Sequence, residues 1–157
     1  MPNPKTKNKE IERKFLVDKN KWKSTDKSIG IIQYYLSDKP TVRIRMTDDK
    51  AFLTIKGHDN ISHSEFEYEI PMEDAKEMMA LSIYNPIAKR RYEIEHEGSN
   101  WVVDVFFEKN KGLILAEIEL EHEDQEFSSP EWILEEVSND KKYYNSNLAL
   151  HPFSEWK

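Results

Sequence analysis

Residues 10–17 read Glu-Ile-Glu-Arg-Lys-Phe-Leu-Val, EIERKFLV. In an extended strand side chains alternate between faces, so Glu10, Glu12 and Lys14 share one side and Ile11, Arg13 and Phe15 the other. Taken alone, three charges on one side describe the solvated face of an antiparallel sheet. The alternative depends on whether other strands repeat the pattern with complementary signs.

They do. VRIRM (42–46) sets Arg43 and Arg45 against Val42, Ile44 and Met46, and FLTIK (52–56) sets Lys56 with Thr54 against Leu53 and Ile55. EFEYEI (65–70) aligns Glu65, Glu67 and Glu69, while KRRYEIE (89–95) aligns Lys89, Arg91, Glu93 and Glu95. WVVDVFF (101–107) puts Asp104 with Val102 and Phe106, and AEIELE (116–121) aligns Glu117, Glu119 and Glu121 against Ile118 and Leu120. Some of these faces are acidic and others basic, where a merely wetted surface mixes signs and uses Ser, Thr and Gln. Like charges two apart on a strand lie roughly 7 Å from one another and repel. Their repetition points to a ligand or ion that each group serves.

Strands are expected at 10–17, 29–36, 41–47, 51–57, 64–70, 89–96, 101–107 and 113–121. The turn signals SDKP, TDDK, HEGSN and EKNKG separate several of them, so successive strands pair antiparallel. Residues 72–83 predict a helix with Ala75, Met78, Met79 and Ser82 on one stripe and acids in its first turn. Ser129 as N-cap and Pro130 as first helical residue predict a second helix over 130–137, and NSNLAL (145–150) a third short piece. The expectation is a mainly β (α+β) fold: an eight-stranded antiparallel closed barrel with charged faces inward, and its apolar outer faces covered by the helices at 72–83 and 130–137. Guanidinium and ammonium groups on one wall suit phosphate oxygens, and carboxylates on the other suit Mg²⁺ or Mn²⁺. The occupant would be a metal-bound polyphosphate.

Composition narrows the field. With 157 residues the chain fits one domain over 10–157, and MPNPKTKNK at 1–9 reads as a short disordered tail without the apolar region of a signal peptide. A net charge of −7 argues against nucleic acid or anionic membrane as partner. No apolar run reaches membrane-spanning length, and the default compartment is the cytoplasm. The absence of cysteine excludes disulfides, thiolate zinc sites and a cysteine nucleophile. Four scattered glycines exclude a Gly-rich phosphate loop, and the five histidines show no zinc-type spacing. The four tryptophans read as packing or tail residues rather than base-stacking platforms.

EIERK resembles the ExExK signature of the CYTH superfamily, the triphosphate tunnel metalloenzymes. The resemblance continues in order through RIR, LTIK, EYEI, KRRY, DVF and EIELE to DKKYYNSNLAL, covering about residues 10–150. It implies an eight-stranded tunnel that binds a triphosphate with Mg²⁺ or Mn²⁺. Glu10, Glu12, Glu117 and Glu119 then match the metal-side acids. Lys14, Arg43, Arg45, Lys56 and Arg91 match the phosphate-binding bases, and Lys89 the lysine that orients or activates the attacking water. Tyr35 stands where the family has a tunnel tyrosine, but its context is YYL rather than GYL, so Tyr34 and Tyr35 both remain open. DKKY supplies one more base, Lys141 or Lys142, from a plug segment, and Asp104 an inward carboxylate of metal or structural role. The expected activity is metal-dependent hydrolysis of a triphosphate compound, inorganic triphosphate first. Adenylate cyclase and thiamine triphosphatase stand behind it, and a non-catalytic polyphosphate- or nucleotide-binding module is the alternative of another class. The partner is a triphosphate-containing small molecule, and a homodimer is left open.

Overall fold

The computed structural model describes residues 9–57 and 62–156, with side chains for 11–57 and 64–156. Nine strands are present among them: β1 Lys9–Val17, β2 Ser28–Ser37, β3 Thr41–Met46, β4 Ala51–Lys56, β5 Ser62–Ile70, β6 Ile87–His96, β7 Ser99–Phe106, β8 Ile114–Glu119 and β9 Ile133–Glu136. Two α-helices accompany them, α1 Met72–Met78 and α2 Asn145–Leu150. All eight strands read from the sequence form, with ends shifted by at most two residues. The predicted tail falls largely on residues 1–8, which lie outside the described residues, and Lys9 already opens β1.

The sheet runs β5-β4-β3-β2-β6-β7-β8-β1-β9, antiparallel throughout, with a further pairing of β1 to β5. The expected closed eight-stranded barrel is therefore corrected. The described residues form nine strands, and β1 meets β5 over only three residue pairs, Lys9–Ile11 with Ser62–Ser64, while the rest of β1 pairs with β8 and β9. One strand cannot hydrogen-bond three neighbours along the same stretch, so β1 divides its length among them.

The second correction concerns 130–137. No helix forms there: Ser129 and Pro130 lead into a turn in which the Ile133 amide donates to the Pro130 carbonyl (3.1 Å), and β9 follows. Local capping chemistry favoured a helix, but tertiary pairing wins. Ile133 stands opposite Val17, the Val137 amide donates to the Lys14 carbonyl (2.8 Å), and Arg13 forks Glu136 through two side-chain bonds.

Because the charged faces turn inward, apolar packing is pushed outward into separate clusters. On β2, β3 and β4 the outward Tyr34, Ile44, Met46 and Ala51 meet Ala75 of α1, as the stripe at 72–83 predicts, although the helix gives way to a 3₁₀ turn at Met79–Leu81. Over β1, β7 and β8 the cover is aromatic rather than helical: Trp101, fully buried, packs on Phe15, Phe127 and Trp132, with Trp22 against Trp132 and Tyr92. A third cluster closes one end, where Leu148 and Ala149 of α2 meet Tyr35, Ile87, Phe106 and Leu115. The β6–β7 hairpin turns tightly at Glu97 and Gly98, both with positive φ (47° and 82°), the geometry of a type I′ turn.

Trp101→Ala removes the centre of the aromatic cluster and should cost about 3–5 kcal/mol in chemical denaturation. Leu134→Ala, on the exposed side of β9, should change stability by no more than about 0.5 kcal/mol.

Candidate active site

Two polar cavities lie inside the curled sheet and meet at Glu12, Arg43, Lys56 and Asn145. The larger, about 500 Å³, carries Arg43, Arg45, Lys56 and Arg91 together with Glu12, Glu65, Glu117 and Glu119. The smaller, about 290 Å³, is mostly basic, with Lys14, Lys39, Lys56, Lys141 and Arg43 facing Glu12 alone among acids. Strand register makes these walls. Glu12 stands opposite Glu119 and Lys14 opposite Glu117, while Arg91 stands opposite Asp104 and Lys56 opposite Glu65. Alternation then carries Glu12 and Lys14, Arg43 and Arg45, and Glu117 and Glu119 to the interior in pairs.

Asp104 anchors the basic side. Arg91 Nε and Nη2 donate to its two oxygens at 2.8 Å each, and Lys89 Nζ lies 2.8 Å from Oδ2. Burial would raise the Asp104 carboxyl, but Arg91 and Lys89 hold it well below the usual carboxylate range. Burial likewise opposes the charge on Arg91, yet Asp104 and Glu117 raise its pKa. Burial lowers Lys89 to about 7 despite Asp104, with Arg91 and Arg45 adding repulsion. Arg45 is lowered to about 9, by burial first and by Arg43 and Arg91 next, and stays charged at neutral pH. It donates from Nε to Gln33 Oε1 at 3.0 Å. Arg43 is 6% exposed, and its buried Nε has no hydrogen-bond partner. An unspent guanidinium donor beside a cavity is what an anion would satisfy.

On the acidic side Glu12, Glu117 and Glu119 line one cavity. Burial would raise Glu117, but Lys14 and Arg91 bring it to about 2. Among the described residues no three histidine or acidic side chains already converge as a metal cage. A pair of oxygen donors nevertheless suits a hard divalent ion that takes one or two carboxylates and fills its remaining positions with water and phosphate oxygens. The donor set fits Mg²⁺ or Mn²⁺ in kind.

The sequence-derived residues fall as follows. Glu12, Arg43, Arg45, Lys56, Arg91, Glu117 and Glu119 line the larger cavity, and Lys14, Tyr35 and Lys141 the smaller. Tyr35 points inward, its hydroxyl 3.4 Å from Gln33 Nε2, whereas Tyr34 points outward and donates to the Ala75 carbonyl. Lys141 faces the cavity, while Lys142 lies over the Tyr143 and Trp156 rings at 5.3 and 5.0 Å. The Glu10 side chain lies outside the described residues. Lys89 lines neither interior cavity: its ammonium is fully buried, held by Asp104 and, at 3.2 Å, by Asn145 Oδ1. Sequence reasoning passed over Lys39, Glu65 and Asn145. Glu65 was visible in the EFEYE alternation opposite Lys56; Asn145 sits in a helical turn that carries no charge pattern.

A curled antiparallel sheet holding apposed basic and acidic walls defines a β-protein built to bind an anion together with a cation. A family model described as CYTH domain matches residues 8–149, and the chain belongs to that family. It is 44% identical over 154 residues to the inorganic triphosphatase of Acetivibrio thermocellus, covering 95% of this chain and 98% of that protein. The inorganic triphosphatase of Nitrosomonas europaea is 33% identical over 147 residues, 90% of this chain and 97% of that protein. The crystal structure of an inorganic triphosphatase matches with a TM-score of 0.67 at 31% identity, covering 90% of this chain and 94% of that one.

Asp104 and Glu117 have depressed native pKa values, so their stabilisation is complete above the unfolded carboxylate value of about 4 and drains away as pH falls through it. Urea midpoints should hold between pH 7 and 5 and drop below about pH 4. In Asp104→Asn the acid-dependent part of that drop should shrink, while stability at pH 7 falls by about 3–5 kcal/mol because Lys89 and Arg91 lose their buried counter-charge.

Proposed function

We propose that this chain is a metal-dependent triphosphatase, with inorganic triphosphate its first substrate, and that residues 10–157 act as one domain in the cytoplasm. The observation that supports this most is the arrangement of the larger cavity, where Arg43, Arg45, Lys56 and Arg91 face Glu12, Glu117 and Glu119 and the buried Arg43 Nε lacks a partner. The relatives named inorganic triphosphatase match this chain over nearly its whole length.

Phosphoryl transfer needs positioning and charge neutralisation more than covalent chemistry. In this reading the curled sheet forms the walls of the substrate site. Arg43, Arg45, Lys56 and Arg91 bind the phosphate chain in the larger cavity; Lys14 and Lys141 extend the basic track into the smaller. Glu12, Glu117 and Glu119, with Glu10, would hold Mg²⁺ or Mn²⁺, which when bound would neutralise phosphoryl oxygens and favour ionised water. Lys89 is the lysine that would orient or activate the attacking water; it stands behind the wall, its pKa brought to about 7, and borders the cavity junction through Asn145. Tyr35, buried at the base of the smaller cavity, fixes the far end of the chain.

Phosphate release from tripolyphosphate, ATP and thiamine triphosphate, with Mg²⁺, with Mn²⁺ and with excess chelator, tests the reading. Tripolyphosphate should turn over fastest and only with metal. Cyclic AMP as the main product of ATP would make the chain a cyclase instead. Glu117→Gln should lose at least about 100-fold in hydrolysis, on the order of 3 kcal/mol, while metal-free triphosphate still binds by calorimetry. Arg43→Ala should weaken triphosphate binding and leave the melting temperature of the free protein unchanged or slightly raised, since a cation leaves a self-repelling wall.

A further inference from the structure

Asn145 is the first residue of α2, and its side chain lies where the two cavities meet. Its Oδ1 accepts from Lys89 Nζ at 3.2 Å. An ammonium only donates, so the amide must present its oxygen to Lys89 and turn its NH₂ away. Asp104 Oδ2 holds the same ammonium at 2.8 Å, and the Phe106 ring lies 5.4 Å from it. Two acceptors and a ring thus fix a lysine whose side chain has no exposed surface and which lines neither interior cavity. Of these neighbours only Asn145 is both in contact with Lys89 and on the cavity wall.

We infer that Asn145 is the positioning residue for Lys89, setting where its ammonium stands relative to a phosphate chain in the cavities. Asp104 fixes the charge of Lys89 from one side and is shared with Arg91. Asn145 fixes its direction from the other, and belongs to a different part of the chain. The C-terminal segment is fastened a second time nearby, where Lys14 Nζ donates to the Tyr143 carbonyl at 3.1 Å and lies over the Tyr144 ring. The placement of Asn145 is therefore held by the fold as well as by Lys89 itself. A carboxamide suits the task because it offers an acceptor without adding a negative charge against the incoming phosphates.

This inference rests on the triphosphatase reading, and two measurements separate them. The first is a kinetic cycle with tripolyphosphate on wild type, Asn145→Ala, Lys89→Ala and the double variant. Asn145→Ala should lower kcat about tenfold with KM changed less than about threefold, and should cost almost nothing further once Lys89 is alanine. Asn145→Asp keeps the acceptor, so it should recover most of the lost kcat but raise KM, because its charge repels the substrate. The second needs no turnover: acetic anhydride labelling of Lys89, read by mass spectrometry, should speed up several-fold in Asn145→Ala and stay near the wild-type rate in Asn145→Asp. Effects of Asn145→Ala and Lys89→Ala that multiply, or equal kcat losses in the alanine and aspartate variants, overturn the positioning role and leave the triphosphatase reading standing. If wild type fails to hydrolyse any triphosphate, the function falls, and unchanged labelling of Lys89 in Asn145→Ala then overturns the positioning role separately.

Discussion

Asp104 sits between Lys89 and Arg91, every contact at 2.8 Å, with Asp104 and Lys89 buried and Arg91 reaching the cavity. The remainder of the interior depends on this one carboxylate. Buried cations are expensive to desolvate and repel one another, and removing one partner of such a set leaves the others uncompensated. Arg43, Arg45, Arg91 and Lys89 can be gathered in one region only because Asp104 neutralises the innermost pair and Glu117, 3.5 Å from Arg91, lies next to it. The wall therefore carries a surplus of positive charge toward the cavity rather than into the protein.

That arrangement dictates where ordinary stability must come from. A sheet with a polar interior cannot build one central core, so the apolar faces are served by three peripheral clusters: α1 over β2–β4, aromatic side chains over β1, β7 and β8, and the C-terminal segment at one end. Each is small, and each uses a different covering element. The aromatic one has no helix over it, and large rings from Trp22, Phe127 and Trp132 fill the space instead.

Alternation made most of the fold readable. Glu12 and Lys14, Arg43 and Arg45, or Glu117 and Glu119 share faces by the geometry of a strand, and no tertiary information is needed to see that. What alternation could not convey was partnership. Whether β1 pairs with two neighbours or three depends on where β9 and β5 fall in space, and Ser129-Pro130 carries helix-start chemistry whatever follows it. Tyr34 and Tyr35 are adjacent and chemically identical, so only the register with Arg43 and Ile44 separates inward from outward. Lys89 shows the same limit in the opposite sense. Its face was right, but depth along the side chain is set by Asp104, Phe106 and Asn145, which lie 15, 17 and 56 positions away in sequence.

The aromatic cluster has an optical consequence. Trp22, Trp132 and Trp101 form a continuous run of indoles, 5.2 and 6.1 Å between ring centroids and crossed at 73° and 75°. Indoles that close, with their planes crossed, couple their transition dipoles, so the three rings should give a circular dichroism couplet rather than the sum of three separate bands. Trp101 is a β7 residue three positions before Asp104 and opposite Ile118, the residue between Glu117 and Glu119. A shift of either inner wall would turn one oscillator against its neighbours, which makes the protein's own ultraviolet spectrum a label-free gauge of the cavity.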